Sequence, residues 1–396
     1  EGKSEIKKAA GLILTNHGTI SGVDVINGSI NNIGKKANAA GYVLSNEEDG
    51  VIENCFLGMN TKNLNIKSGF VGTNLGKITK CSTAVSVNSK DIAGGFCGSN
   101  SGEINDCKAE GSVKAKASNG ITICGGFIAE NSGIIKNCSS TGKVDGQEFA
   151  GGFAGINSDN GKISSCKATC DVKSHTYIAS INCGGFVGLD AGKIEDCSFD
   201  GKVDGCVDSE KVVGIAVGVT VAVILTIAGI CFVKCFVKCF VALNKAKYNY
   251  WKFVNRDISE ECNSYCDLMT AKDNLHKLIN IFGFLFVVAI TASGATAGLT
   301  VGLTAGRKCA NIGAFCGVNV GEISKCSVNN SLIKAKSMYN KHNICGGFVG
   351  INGETGTIKD SVATGNEISN KTYTGGHLGG FAGENSGKIE NGTTKV

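Results

Sequence analysis

One phrase, written ten times over, limits what this chain can become. "GGFCGSNSGEINDC" begins at Gly94, and near-copies begin at Gly151 ("GGFAGINSDNGKISSC"), Gly184 ("GGFVGLDAGKIEDC") and Gly380 ("GFAGENSGKIENG"). Aligned on the bulky residue after glycine, the anchors are Leu12, Tyr42, Phe70, Phe96, Phe127, Phe153, Phe186, Phe315, Phe348 and Phe381. Successive anchors lie 26 to 33 residues apart, except for one jump of 129. An Asn recurs four residues after each anchor, from Asn16 to Asn385, with Asp190 replacing it once, and an Ile follows from Ile20 to Ile389. A fixed period of this size means stacked units, each too small to bury its own apolar face. The segments are short, alternate apolar with polar, and are bounded by Gly, Asn and Ser, which is strand-and-turn chemistry. Each N-x-G is expected to be a corner, because Asn and Gly tolerate positive φ. The expected fold is mainly β: a parallel β-helix of about ten repeats, gaining about 4.8 Å per coil and standing roughly 48 Å tall. Phe, Ile and Cys are expected to stack in three interior columns.

The chain has 57 Gly and no Pro among 396 residues, which excludes collagen and a proline-rich stalk. Of the net charge of +5, residues 207–308 supply most, with eleven basic and seven acidic residues. The repeats are nearly neutral, which argues against a nucleic-acid face. The sequence opens at Glu1 with no visible signal peptide, so a processed or partial chain is expected.

Residues 125–144, "GGFIAENSGIIKNCSSTGKV", closely resemble the GLUG-motif repeat, whose signature runs G-L-V-G-x-N-x-G-x-I-x-N-C-x-S-T-G-x-V. The resemblance extends over about three quarters of the chain. It implies a secreted or cell-surface β-solenoid of the kind found in adhesins and in non-catalytic regions of surface proteases. The chain departs from the pattern by a long insertion, and by Ser361 and Gly392 at the Cys position of the last copies. The glycines read as corner residues; no Lys-Ser/Thr follows them to make a phosphate loop.

Of the 20 Cys, seven hold one repeat position: Cys55, Cys81, Cys107, Cys138, Cys166, Cys197 and Cys326. Neighbours about 4.8 Å apart fall inside the disulfide range of about 4.4–6.8 Å, although parallel Cβ vectors strain such a bond. Buried thiols acting as small hydrophobes and vertical disulfides are both open at this point. Metal binding is not expected, since no C-x-x-C or neighbouring His accompanies the column.

The insertion divides the chain into repeats 1–206, an inserted segment 207–308 and repeats 309–396. Residues 212–233 and 278–305 carry no charge, and both runs exceed the ~20 residues that cross hydrocarbon. They predict a transmembrane helical hairpin with a connecting segment at 244–277. Eight Lys/Arg lie between the spans, from Lys234 to Lys277, against Lys211, Arg307 and Lys308 outside them. The positive-inside rule therefore puts 244–277 in the cytoplasm and the repeats outside the cell. Gly294, Gly298, Gly302 and Gly306 face Gly214, Gly218, Ala222 and Thr226 as small-residue stripes suited to close helix packing. Cys231, Cys235 and Cys239 share one helix face, for packing or for palmitoylation.

No residue is assigned a catalytic, cofactor-binding or metal-ligating role, and no cofactor is expected. His17, His175, His276, His342 and His377 form no metal or triad spacing. Asp106, Asp145, Asp196 and Asp204 fall at differing repeat positions rather than in an acid pair. Five N-x-S/T sequons, at Asn27, Asn137, Asn329, Asn370 and Asn391, lie outside the hairpin. The expected protein is a membrane-anchored, cysteine-rich surface solenoid, structural or adhesive and not an enzyme. Its expected partners are the lipid bilayer, surface glycans or host-cell proteins, and other copies of itself, but not nucleic acid. An oligomeric pore or transport component and a carbohydrate-active β-helix enzyme are the alternatives.

Overall fold

A computed structural model describes residues 6–28, 33–59, 66–117, 121–176, 180–207, 310–337, 343–372 and 376–395. All regular structure in them is β-strand, and every strand pairing is parallel. One coil shows the plan. Ile92–Gly94 lies in a first wall, Cys97–Asn100 in a second and Glu103–Asn105 in a third. Lys108–Glu110 and Val113–Ala115 complete a fourth wall. The second and third walls are ten-stranded sheets, and the fourth holds thirteen strands. The chain is thus a parallel β-helix, as the period requires.

Register follows the repeat. Ile78 pairs with Ile104, Ile104 with Ile135, and Asn100 with Asn131. Tyr42, Phe70 and the anchors through Phe381 form one column, with neighbouring ring centroids 4.4–4.9 Å apart. That spacing is the strand separation itself. The Ile column from Ile52 to Ile358 is sealed from solvent, and the Phe and Ile columns together fill the interior. Glycine stands before each anchor except Phe315, which follows Ala314, and it has a steric cause. A Cβ at Gly95 would stand 2.0 Å from the Gly126 carbonyl oxygen, so hydrogen at this position lets the coils approach closely.

Each N-x-G is the corner between the second and third walls, but the positive φ expected there needs correction. The Asn of each copy does not take positive φ. Its side chain turns inward, buried, and hydrogen-bonds the next coil's Asn: Asn74 Nδ2 donates to Asn100 Oδ1 at 2.7 Å, and Asn100 Nδ2 to Asn131 Oδ1 at 2.9 Å. The left-handed residue sits instead just before the Cys column, at Lys80, Asp106, Asn137, Ser165, Asp196 and Lys325, with φ of 52–55°. Only a sharp turn there lets the chain pass from the third wall to the fourth.

The cysteine column is settled as thiols: all fourteen described cysteines are free. Each column thiol brackets that left-handed corner. Cys138 Sγ–H donates to the Lys136 carbonyl (3.0 Å) and accepts the Cys107 N–H from the previous coil (3.3 Å). Ser361 does the same work with a hydroxyl, donating to Lys359 O (2.8 Å) and accepting the Cys326 N–H (3.2 Å). The column is a set of hydrogen-bonded brackets as well as small apolar filler.

The stack crosses the insertion in register in the first three walls, and the fourth carries one bulge, between Asp200 and Lys202. Ile181 pairs with Ala310, Asp190 with Asn319, Ile194 with Ile323 and Ser198 with Ser327. Phe186 stacks on Phe315 at 4.9 Å. Both repeat runs belong to one compact unit, Glu1–Ser209 with Arg307–Val396, and the second unit is Glu210–Gly306. Among the described residues no helix is long and apolar enough to cross a membrane. The expected spans 212–233 and 278–305 and the connecting segment 244–277 lie outside the described residues.

Candidate functional site

Interior positions are committed to packing, so any contact with another molecule uses outward-facing side chains. The fourth wall offers the broadest run of them, because its strands are the longest. Ser139–Gly146, Lys167–Thr176, Ser198–Val207 and Ser327–Ser337 lie side by side there. Alternation along each strand sends Val144, Val172, Val203 and Ile333 inward and their neighbours outward.

Those neighbours carry charge in a regular pattern. Lys143 and Asp171 are register partners in one column, and Lys202, one residue before the Val172–Val203 pair, holds the same place in the next coil. Lys114, Asp145, Lys173, Asp204 and Lys334 are partners in the next column. Sign alternates along both columns and also across each coil. A groove of about 360 Å³ runs between them, lined by these side chains other than Lys114 and by Leu332. Like charges directly opposite would repel, so alternation lets the coils stack. Asp145 Oδ2 pairs with Lys116 at 3.1 Å, while its Oδ1 is buried without a partner among the described residues. The pattern is written in the sequence as "KVD", "DVK" and "KVD" at 143–145, 171–173 and 202–204. The sequence reading missed it because register partners were not yet known.

A second, shallower groove of about 480 Å³ follows the corner between the second and third walls. Glu48, Lys77, Glu103 and Lys162 line it, and Ser101 and Ser132 hydroxyls bond each other there at 2.9 Å.

The acids singled out from the sequence sort into two columns rather than four unrelated positions. Asp106 and Asp196 occupy left-handed corners, and Asp145 and Asp204 share a fourth-wall column with Lys173 between them. A lysine separates the latter pair, so they do not form the close carboxylate couple that glycoside cleavage uses. His17 lies 3.1 Å from Asp49, and His377 pairs with Glu384 in the final coil. His276 and His342 lie outside the described residues, as do Cys231, Cys235 and Cys239. Among the described residues no three His, Cys, Asp or Glu side chains gather into a metal-binding group. Burial pushes the Cys97 and Cys345 thiols up to about 12, far from a reactive thiolate. Sequon residues Asn27, Asn137, Asn329 and Asn391 are solvent-exposed. Comparison with protein-family models, with curated proteins and with solved structures finds no match to this chain.

Proposed function

We propose that this chain is a membrane-anchored cell-surface β-solenoid that binds or assembles through its walls and does not catalyse a reaction. The observation that carries the reading is the fourth-wall groove, a repeating lattice of opposite charges in which no acid pair converges. A periodic surface of this kind suits an extended ligand, such as a surface glycan or a protein of the host cell. Support for the anchor comes from the two charge-free runs at 212–233 and 278–305, and the Lys/Arg bias between them puts 244–277 in the cytoplasm. Kinship with GLUG repeats is part of the same proposal, supported by the motif at 125–144.

The test uses cells displaying the full chain. Retention on a panel of polysaccharides and on host cells is measured alongside release of cleaved sugar. Retention without turnover, weakened by Lys143→Gln with Lys202→Gln, is expected. Turnover abolished by Asp145→Asn or Asp204→Asn would overturn the reading in favour of an enzyme. Protease applied to intact cells is expected to leave 244–277 uncut, and cleavage there with the repeats protected would reverse the topology.

A further inference from the structure

The buried amides of the second wall run in one direction. Nδ2 of Asn16 donates to Oδ1 of Asn46, and the same bond repeats through Asn74, Asn100, Asn131 and Asn157 at 2.7–2.9 Å. In the seventh coil this ladder meets Asp190. Its Oδ1 takes the role of an amide oxygen, accepting from Asn157 Nδ2 at 2.8 Å and from the Gly192 N–H at 3.2 Å. Its Oδ2 therefore stands where every other coil presents an NH₂ donor. The register partner in the eighth coil is Asn319. Asn319 Nδ2 is already donated onward to Asn352 Oδ1 at 2.7 Å, and its Oδ1 accepts the Gly321 N–H at 3.1 Å. Asp190 is fully buried, and its Oδ2 has no hydrogen-bond partner among the described residues. An ionised Asp190 thus holds a bare acceptor against another acceptor in the core, the costliest kind of buried polar atom. A protonated one supplies the O–H that the ladder lacks.

We propose that the Asp190–Asn319 junction is a binding site for a single proton, and that this proton completes the amide ladder across the seam between the seventh and eighth coils. The seam is the one place where neighbouring coils are separated in sequence by the segment 208–309, so its hold rests on non-covalent contacts. Asn311 Nδ2 donates to Asn182 Oδ1 at 2.8 Å, and Lys325 pairs with Glu195 at 3.1 Å. Asp190 is the one break in the amide ladder at this seam, and its protonation sets how firmly the last three coils are held to the first seven.

Among the described residues no charged side chain compensates the carboxylate. The strands on either side contribute Asn157 and Asn319, and the Cys316 thiol, raised by burial and by Asp190, is the titratable group it interacts with. Lys193, Glu195, Glu322 and Lys325 belong to the adjoining third wall, stand half-exposed and pair with one another. Burial accordingly pushes the Asp190 carboxyl up to about 7, against roughly 3.9 in an unfolded chain. Between those values the folded state holds a proton that the unfolded state has released. The contribution of Asp190 to stability is therefore complete below about pH 4 and lost as pH rises through about 7.

Full-length protein in detergent micelles, wild type and Asp190→Asn, would be compared by amide hydrogen exchange at pH 5 and pH 8, as protection factors. Wild-type protection in Val187–Asp190 and Cys316–Asn319 is expected to fall on the order of tenfold or more between the two pH values. Asp190→Asn installs the amide carried by the other coils, so its protection at both pH values is expected to match wild type at pH 5. A second variant, Asn131→Asp, should transplant the pH dependence to the fifth and sixth coils. Equal wild-type protection at both pH values would overturn the proposal. So would an Asp190→Asn variant that retains the pH dependence or is less protected than wild type at pH 8, or an Asn131→Asp variant with no new pH dependence.

Discussion

Cys138 and Ser361 occupy the same place in their coils and make the same pair of hydrogen bonds, one through sulfur and one through oxygen. What the position requires is a small side chain that donates to a carbonyl and accepts a neighbouring N–H. Cys138→Ser is therefore expected to change stability by less than about 1 kcal/mol. Cys138→Ala strands the Cys107 N–H and is expected to cost about 1–3 kcal/mol in urea unfolding. The Cys138 and Cys197 thiols, pushed up by burial, should also resist alkylation in the native state and react only after unfolding. Burial in the column was legible from the repeat alone. The hydrogen-bonding role was not, because it depends on the left-handed residue just ahead. That residue is Lys80, Ser165 or Lys325 as readily as Asn137, so its identity carries no signal. The positive φ expected of Asn at the N-x-G corner was misassigned for the same reason. Asn is a turn former by intrinsic preference, but a stack of coils offers it an amide partner above and below, and the ladder wins.

Among the elements, the short strands of the second and third walls were readable in full, since their anchors and isoleucines repeat without exception. The Phe153 ring lies 4.8 Å from Phe127 and 4.9 Å from Phe186, wholly buried. Phe153→Ala is expected to cost about 3–5 kcal/mol, from lost burial and the cavity left between two rings; a loss below about 1 kcal/mol would contradict the column. The turn of the fourth wall is equally constrained. Gly142 has φ of 126°, and a Cβ there would stand 2.2 Å from the Gly111 carbonyl oxygen. Gly142→Ala is expected to lower the melting temperature measurably, because both strain and contact oppose it. The charge pattern of that wall was present in the sequence as alternating "KVD" and "DVK", yet neither triplet means anything until Asp171 is placed against Lys143 and Lys202. Strand spacing turns three unremarkable triplets into one surface.

At the scale of the molecule, a near-neutral wall of alternating charges predicts binding that weakens with salt. Raising ionic strength from about 0.05 to 0.5 M shortens the screening length to a few ångströms, and retention on a charged glycan or protein surface should fall accordingly. Retention unaffected by salt would remove the groove from the interaction. All of these readings depend on one architectural fact, that the repeats before and after 208–309 form a single stack. Lys193 and Glu322 are register partners in adjacent coils across the seam, 3.7 Å apart at their charged ends, and Thr357 lies one coil further on. The most direct measurement pairs Lys193→Cys with Glu322→Cys in the full chain, with a protease site placed within 244–277. After mild oxidation and cleavage, the two fragments should migrate as one species until reduced. Lys193→Cys with Thr357→Cys, two coil heights apart at about 9.6 Å, should separate without reduction. Efficient cross-linking of the distant pair, or none for the adjacent pair, would contradict a continuous solenoid.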